Sequence, residues 1–399
     1  MDDGPPGRAD SPGRFPKAMA AVVILTLPLG TVYAFSVFLR PLEAELGATR
    51  AALSFVFGLS IVGFTLGMNL APLLYRLAAA WVLVAGSALV ASLGMLLAAT
   101  APGIAQLALG YGVLFGLGGG TAYVLLLQGV NLMLHGRRGL VNGFIISLYP
   151  LGAMIGVPLF GWSLAAWGLR PTLTALAATL ALAGALSTWL VVLSGMTLLV
   201  PGQGPAAPQE RRAWLFLRLW TVFFLAAAAG LTVLGQAAAM VEAYGGAKAL
   251  ALAATTAITA CIAAARIGGG WLADRLGAPL VMAGAHALAL GGDILLLVFP
   301  GPWLAAVTLA MIGIGYGIVS GGSTAAIGEY WGTAHYGRIA GRLYVAWCLA
   351  AVTLPVVAGR IFDLSGSYTG AIMIAAGGNA LGIAVAAMLP WRRRAAAPG

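Results

Sequence analysis

A chain of 399 residues that is 61% hydrophobic and 8% charged lacks the polar surface of a soluble fold, where about 25% charged is ordinary. Soluble enzymes and nucleic-acid-binding modules are excluded on that ground. The net charge of +10 falls in short basic clusters between apolar runs, the pattern that orients a membrane protein.

Residues 1–16, rich in Gly, Pro and Asp, are expected to form a disordered cytoplasmic tail. A membrane span needs about 20 mainly apolar residues. That ruler finds twelve runs, at 18–39, 51–74, 80–100, 104–133, 140–166, 172–195, 216–241, 249–272, 280–299, 303–328, 338–361 and 369–389. The first run is too long for a signal-peptide core and is kept as a span. The polar interval 196–215, with Pro201-Gly202-Gln203-Gly204-Pro205 and Glu210-Arg211-Arg212, divides the twelve into six and six. An all-α membrane protein is expected, with halves 17–195 and 216–390 joined by a cytoplasmic loop and followed by a basic tail, 391–399. Arg392, Arg393 and Arg394 in that tail read as a lipid-surface anchor.

Counting Lys and Arg by side puts fifteen on the face shared by both termini and five on the other, with Arg266 inside a span. Both termini are therefore expected in the cytoplasm. The halves echo each other: Arg138-Gly139-Leu140-Val141-Asn142-Gly143 opens the fifth span, and Tyr336-Gly337-Arg338-Ile339-Ala340-Gly341 opens the eleventh. No Gly-Lys pair occurs, so a Walker phosphate loop is absent, and no cofactor is expected. Cys261 and Cys348 both lie in apolar runs and imply no disulfide.

Arg266 is the residue that most needs an explanation. A guanidinium stays charged at any relevant pH, and holding it in hydrocarbon costs roughly 2.5–3.5 kcal/mol on insertion scales. It is read as the group that binds a substrate carboxylate. Thr255 and Thr259 share its helical face, a polar stripe that suggests a water-filled cavity. Further stripes add Tyr33 on the first span, Tyr149 on the fifth, Gln236 on the seventh, Tyr316 and Ser320 on the tenth, and Tyr344 and Trp347 on the eleventh. Together they describe a cavity with one positive charge and many neutral hydrogen-bonding groups. His286 and Asp293, seven residues apart on the ninth span, are assigned a structural role.

The twelve spans, the central loop and the turn Gly270-x-x-x-Asp274-Arg275-x-Gly277 resemble the major facilitator superfamily. The first-half counterpart of that turn, Ala71-Pro72-Leu73-Leu74-Tyr75-Arg76-Leu77, lacks the aspartate and glycines, which leaves the brace of that half in question. Within the superfamily the chain is similar to the oxalate/formate antiporter group and the monocarboxylate transporters. Gly112-x-x-x-Gly116-x-x-Gly119-x-x-x-Tyr123, Gly168-Leu169-Arg170 and Arg266 carry this narrower likeness. It implies a central site that includes Tyr123; the superfamily turn implies a gate with Asp274 and Arg275, to which Arg138 and, by its place at the inner end of span ten, Glu329 are added. The narrower likeness also implies a lysine in span eleven for oxalate carriers, where this chain has Trp347. One cation matches one carboxylate. The expectation is a monomeric transporter of small monocarboxylates in a bacterial inner membrane, working by proton-coupled symport or anion exchange. An oxalate-type exchanger and an exporter of neutral molecules are the alternatives.

Overall fold

The computed structural model describes residues 13–134, 138–199 and 213–391. Twelve of its helices are long and apolar enough to cross a membrane. They are α1 (Arg14–Leu46), α2 (Ala52–Leu74), α3 (Ala80–Ala99), α4 (Ile104–Met133), α5 (Arg138–Trp167) and α6 (Leu169–Ser194) in the first half. In the second half they are α7 (Ala213–Ala243), α8 (Lys248–Leu276), α9 (Ala278–Val298), α10 (Pro302–Trp331), α11 (Thr333–Ser365) and α12 (Thr369–Ala387). No strand occurs among the described residues. Helices satisfy their own backbone in hydrocarbon, which open strands cannot do.

All twelve runs are recovered, with shifted ends: α1 continues to Leu46, and α6 begins at Leu169. The expected terminal tails and central loop fall largely on 1–12, 200–212 and 392–399, outside the described residues, as do Arg392, Arg393 and Arg394.

Helices in a bilayer gain nothing from hiding apolar surface from lipid, so they associate by close backbone approach. In the first half α4 packs on α2, α6 on α3 and on α1; in the second α10 packs on α7, α8 and α9, and α12 on α9. Glycines set the α2–α4 crossing. A Cβ on Gly116 would stand 2.5 Å from the Ser60 carbonyl oxygen, and one on Gly120 would overlap the Phe64 carbonyl. The Gly112–Tyr123 face thus packs against α2 and carries a cavity tyrosine as well.

The two echoed segments do the same work in opposite halves. Gly139 and Gly143 of α5 seat against the backbone of Gly270 and Arg266 in α8. Gly337 and Gly341 of α11 seat against the Tyr75 phenol and the Met68 carbonyl at the end of α2. Both contacts lie at the end of the bundle where the chain passes from one half to the other, called here the linker end.

Three helices depart from regular α geometry. Pro28 precedes a 3₁₀ stretch, Gly30–Phe38, within α1, and α4 contains a π segment, Ala108–Phe115. In α11 the helix stops at Val352 and restarts at Leu354, because Pro355 supplies no backbone N–H to carry the ladder across. Such segments concentrate where a helix bends or binds.

Gly120→Ala is expected to lower stability by about 1–3 kcal/mol through overpacking. Gly86, whose Cβ would meet nothing within 4 Å, serves as control. Thermal unfolding in detergent checks both; equal midpoints for the two alanine variants are the result that contradicts the packing account.

Candidate functional site

Midway along the bundle, side chains from both halves enclose one cavity of about 20 Å³. Arg266 of α8 is its single charged lining residue, 3% exposed. Glycines bring its helix there: Gly143 of α5 and Gly321 of α10 both abut the Arg266 carbonyl, so its backbone is wedged between the halves.

The guanidinium reaches across the interface. Nη1 donates to the Ile146 carbonyl of α5 at 2.9 Å, and Nη2 donates to the Tyr316 hydroxyl at 3.0 Å. The Ile146 carbonyl is free to accept because its usual helical donor, four residues on, is Pro150, which has no N–H. The Arg266 Cζ also lies 5.3 Å from the Tyr316 ring centroid. The phenols of Tyr316, Tyr33 and Tyr344 share its cavity, and among the described residues no carboxylate does. Among the described residues Nε has no hydrogen-bond partner, and neither do the cavity hydroxyls of Tyr149 and Ser320. An N–H and two hydroxyls without partners among the described residues thus face one cavity.

The rest of the lining is aromatic and apolar. Tyr123 and Tyr344 meet hydroxyl to hydroxyl at 3.3 Å across the halves. Trp347 stands edge-on to Tyr33, with centroids 6.3 Å apart, and to Phe64, at 6.2 Å. Val32 and Ile61 close the wall.

Of the residues singled out in the sequence, Arg266, Tyr123, Tyr33, Tyr149, Tyr316, Ser320, Tyr344 and Trp347 line this one cavity. Gln236 does not. Its amide donates to the Pro355 carbonyl, at the break in α11, and so ties α7 to α11 within the second half. Thr255 and Thr259 also stay out: their hydroxyls bond to carbonyls of their own helix, Ala251 and Thr255. Ser60 and Phe64 of α2 and the Ile146 carbonyl are additions. For Ile146 the usable signal was Pro150; for Ser60 and Phe64 it was their position facing the α4 glycines.

At the linker end, Asp274 of α8 accepts from the backbone N–H groups of Gly139 (2.9 Å) and Leu140 (3.0 Å), capping the N-terminus of α5 from the opposite half. A carboxylate there gains from the positive end of the helix dipole. The first half has no equivalent aspartate, and Gln128 of α4 stands in. Its Oε1 accepts from Gly337 N–H at 2.8 Å, and its Nε2 donates to the Thr333 carbonyl at 3.2 Å, so it caps α11. A neutral amide thus supplies the brace that the Ala71–Leu77 turn lacks. Arg138 lays its stem near Gly328 of α10, beside this contact. Arg275 instead stacks over Trp271 of its own helix at 4.1 Å, and Glu329 is exposed at the end of α10. Arg170 binds Glu45 and the Ala101 carbonyl, bracing the opposite end of the first half.

The sequence pattern of the Major Facilitator Superfamily matches residues 21–321. The chain belongs to that superfamily. An E. coli K12 relative, the uncharacterised MFS-type transporter YhjX, is 31% identical over 136 residues, which is 34% of each chain. Among solved structures, the MFS proton:xylose symporter XylE superposes with a TM-score of 0.71 at 12% identity, over 94% of this chain and 96% of XylE. A bacterial homologue of the iron transporter ferroportin, in its outward-facing state, gives 0.75 at 13% identity over 93% and 98%. The human organic anion transporter MFSD10 gives 0.70 at 14% identity over 94% and 100%. At these identities the likeness establishes the fold. In this superfamily member, then, a cation with no carboxylate partner among the described residues sits between two six-helix halves joined by helix caps at one end.

Asp274→Ala is expected to weaken the linker-end contact by about 0.5–2 kcal/mol, the scale of a lost helix cap. Gln128→Ala should weaken it less, since its bonds carry no charge. Spin-label distances across the halves at that end check this; unchanged distance distributions in Asp274→Ala contradict the latch.

Proposed function

We propose that the chain is a secondary transporter of small monocarboxylates of the lactate, pyruvate and formate type, working by alternating access. The observation that carries this reading is Arg266: buried, central, between the halves, and without a carboxylate partner among the described residues. A guanidinium grips a carboxylate with two parallel N–H bonds, and its unpartnered Nε offers one edge of that fork. Tyr149 and Ser320 supply hydroxyls for the remaining lone pairs or a 2-substituent oxygen.

The walls favour one charge over two. Trp347, Phe64 and Ile61 line the cavity beside its single cation, so a second carboxylate, as in oxalate, would meet no second positive charge there. Desolvating that second charge against indole and alkyl groups is costly. An apolar methyl faces no such cost. A cavity of about 20 Å³ holds little more than one water, so the aromatic edges must part to admit even a small acid.

With the linker end taken as cytoplasmic on the arginine count, the hydrogen bonds that close it fit an outward-facing, nearly occluded form. With the acid bound, the anion and Arg266 are together neutral, and the loaded site reorients without carrying net charge.

Uptake of labelled C1–C4 acids into proteoliposomes tests the reading. Arg266→Lys keeps the charge but loses the fork and is expected to raise KM about 10-fold or more, at roughly 1.5–3 kcal/mol per charged hydrogen bond; Arg266→Ala should abolish uptake. Oxalate outcompeting lactate and formate, or unchanged affinity in Arg266→Lys, would overturn it.

A further inference from the structure

Behind the cavity, between α7, α9 and α12, lies a second buried polar group that the substrate site does not use. His286 and Asp293 of α9 are bridged by Asn379 of α12, and all three are at most 1% exposed. His286 Nδ1 lies 2.9 Å from Asn379 Oδ1, and Asn379 Nδ2 donates to Asp293 Oδ2 at 2.8 Å. The other ring nitrogen, Nε2, lies 3.2 Å from the Val222 carbonyl of α7. Gly382 of α12 leaves room for the imidazole, since a Cβ there would overlap the ring.

The partners dictate where protons go. The Val222 carbonyl accepts and never donates, so Nε2 carries a hydrogen. With Asn379 donating to Asp293, its oxygen faces Nδ1, which must also carry a hydrogen; the pair is then imidazolium and carboxylate. With the amide turned over, Asn379 donates to a bare Nδ1, and Asp293 must be the carboxylic acid that donates to the amide oxygen. Both arrangements hold one proton beyond the neutral-imidazole, carboxylate form. Removing that proton sets two acceptors face to face, at Val222 or at Asn379. With one added proton each of the three contacts pairs a donor with an acceptor, and without it one contact is frustrated; Asp293 Oδ1 has no partner among the described residues in either state.

We propose that His286, Asn379 and Asp293 form a proton-binding site, and that its occupancy governs how α7 is held against α9. The chemistry recognised is a hydronium-supplied proton, taken onto a ring nitrogen or a carboxylate oxygen with no other bond changed. The ionisable groups on the helices packed against α9 are few among the described residues: α8 carries Lys248 at its start, Cys261, Arg266 at the cavity, and Asp274 and Arg275 at the linker end. The α12 helix has no ionisable side chain; α7 carries Arg218, which donates to the Met388 carbonyl, and Glu242 at its far end. The α10 helix carries Tyr316, bound to Arg266, and Glu329 and Tyr330 at its linker end. A short path leads to the substrate cavity: Val222 precedes Phe223, whose ring stands edge-on to Tyr344 with centroids 5.7 Å apart, and Tyr344 bonds to Tyr123.

Proton binding is tested on the substrate-free full chain in nanodiscs, by counting protons released as pH is raised through neutrality. Wild type is expected to release one proton more per chain than Asp293→Asn or His286→Gln, the second variant guarding against misfolding of the first. Equal release in all three overturns the site. Because the chain has three histidines, ¹⁵N-imidazole spectra isolate the His286 signal by its loss in His286→Gln; a His286 signal unmoved by pH also overturns it.

The coupling half rests on the transport reading above and is tested separately in proteoliposomes. Lactate accumulation driven by a pH gradient should fall about tenfold or more in Asp293→Asn, a coupling loss of about 1.4 kcal/mol, while lactate–lactate exchange persists. Full gradient-driven accumulation in that variant overturns the coupling. Absence of lactate flux in wild type instead refutes the substrate reading and leaves the proton count standing.

Discussion

A guanidinium that cannot be neutralised, held among phenols and apolar walls in the middle of a membrane bundle, constrains everything around it. Its charge has to be met by dipoles, because no carboxylate reaches it among the described residues. The chain meets it with the Ile146 carbonyl, the Tyr316 hydroxyl and the Tyr316 ring. Each of these is a partial answer: dipoles offset part of the desolvation cost, and Nε stays unanswered. An arrangement left incomplete in this way is unfavourable unless something else completes it part of the time.

Proline chemistry recurs where the backbone is put to use. Pro150 frees the Ile146 carbonyl for Arg266, and Pro72 removes the helical donor that would reach the Met68 carbonyl, against which Gly341 packs. Pro28 precedes the 3₁₀ stretch that carries Val32 and Tyr33 to the cavity, and Pro355 breaks α11 beyond Trp347. Facing lipid, these interruptions would leave carbonyls unanswered; within a bundle, neighbouring helices and side chains supply the missing partners.

The twelve spans and the likeness of the halves were legible in the sequence because hydrocarbon demands about 20 apolar residues per crossing and glycines where backbones touch. Arg266 and the tyrosines were legible too, since a polar group in such a run has few places to go. Gln236 was misjudged: helical spacing says which face a residue occupies, and a broken neighbour, Pro355, captured its amide. Ile146 was invisible because it acts through its carbonyl, and Gln128 because its partner lies 209 residues away. His286 and Asp293 were read as structural; the bridging Asn379, on a different helix, was not visible because helical spacing says nothing of which neighbour a polar group meets.

Site and gate share one piece of backbone, which bears on how occupancy reaches the latch. The Arg266 carbonyl is pressed by Gly143 from one half and Gly321 from the other, and Asp274, two turns further along the same helix, caps α5. A carboxylate gripping the guanidinium at its free Nε edge leaves Nη1 on the Ile146 carbonyl, so the loaded residue still ties α8 to α5. It does compete with Tyr316 for Nη2, and Tyr316 packs against Gly230 of α7. On the proposed reading, binding therefore leaves the α5–α8 seam intact and loosens the cavity's hold on α7, the same helix that His286 holds from behind through Val222. Two ligands of opposite charge would then act on one helix from its two sides, and that gives them a shared element through which to couple.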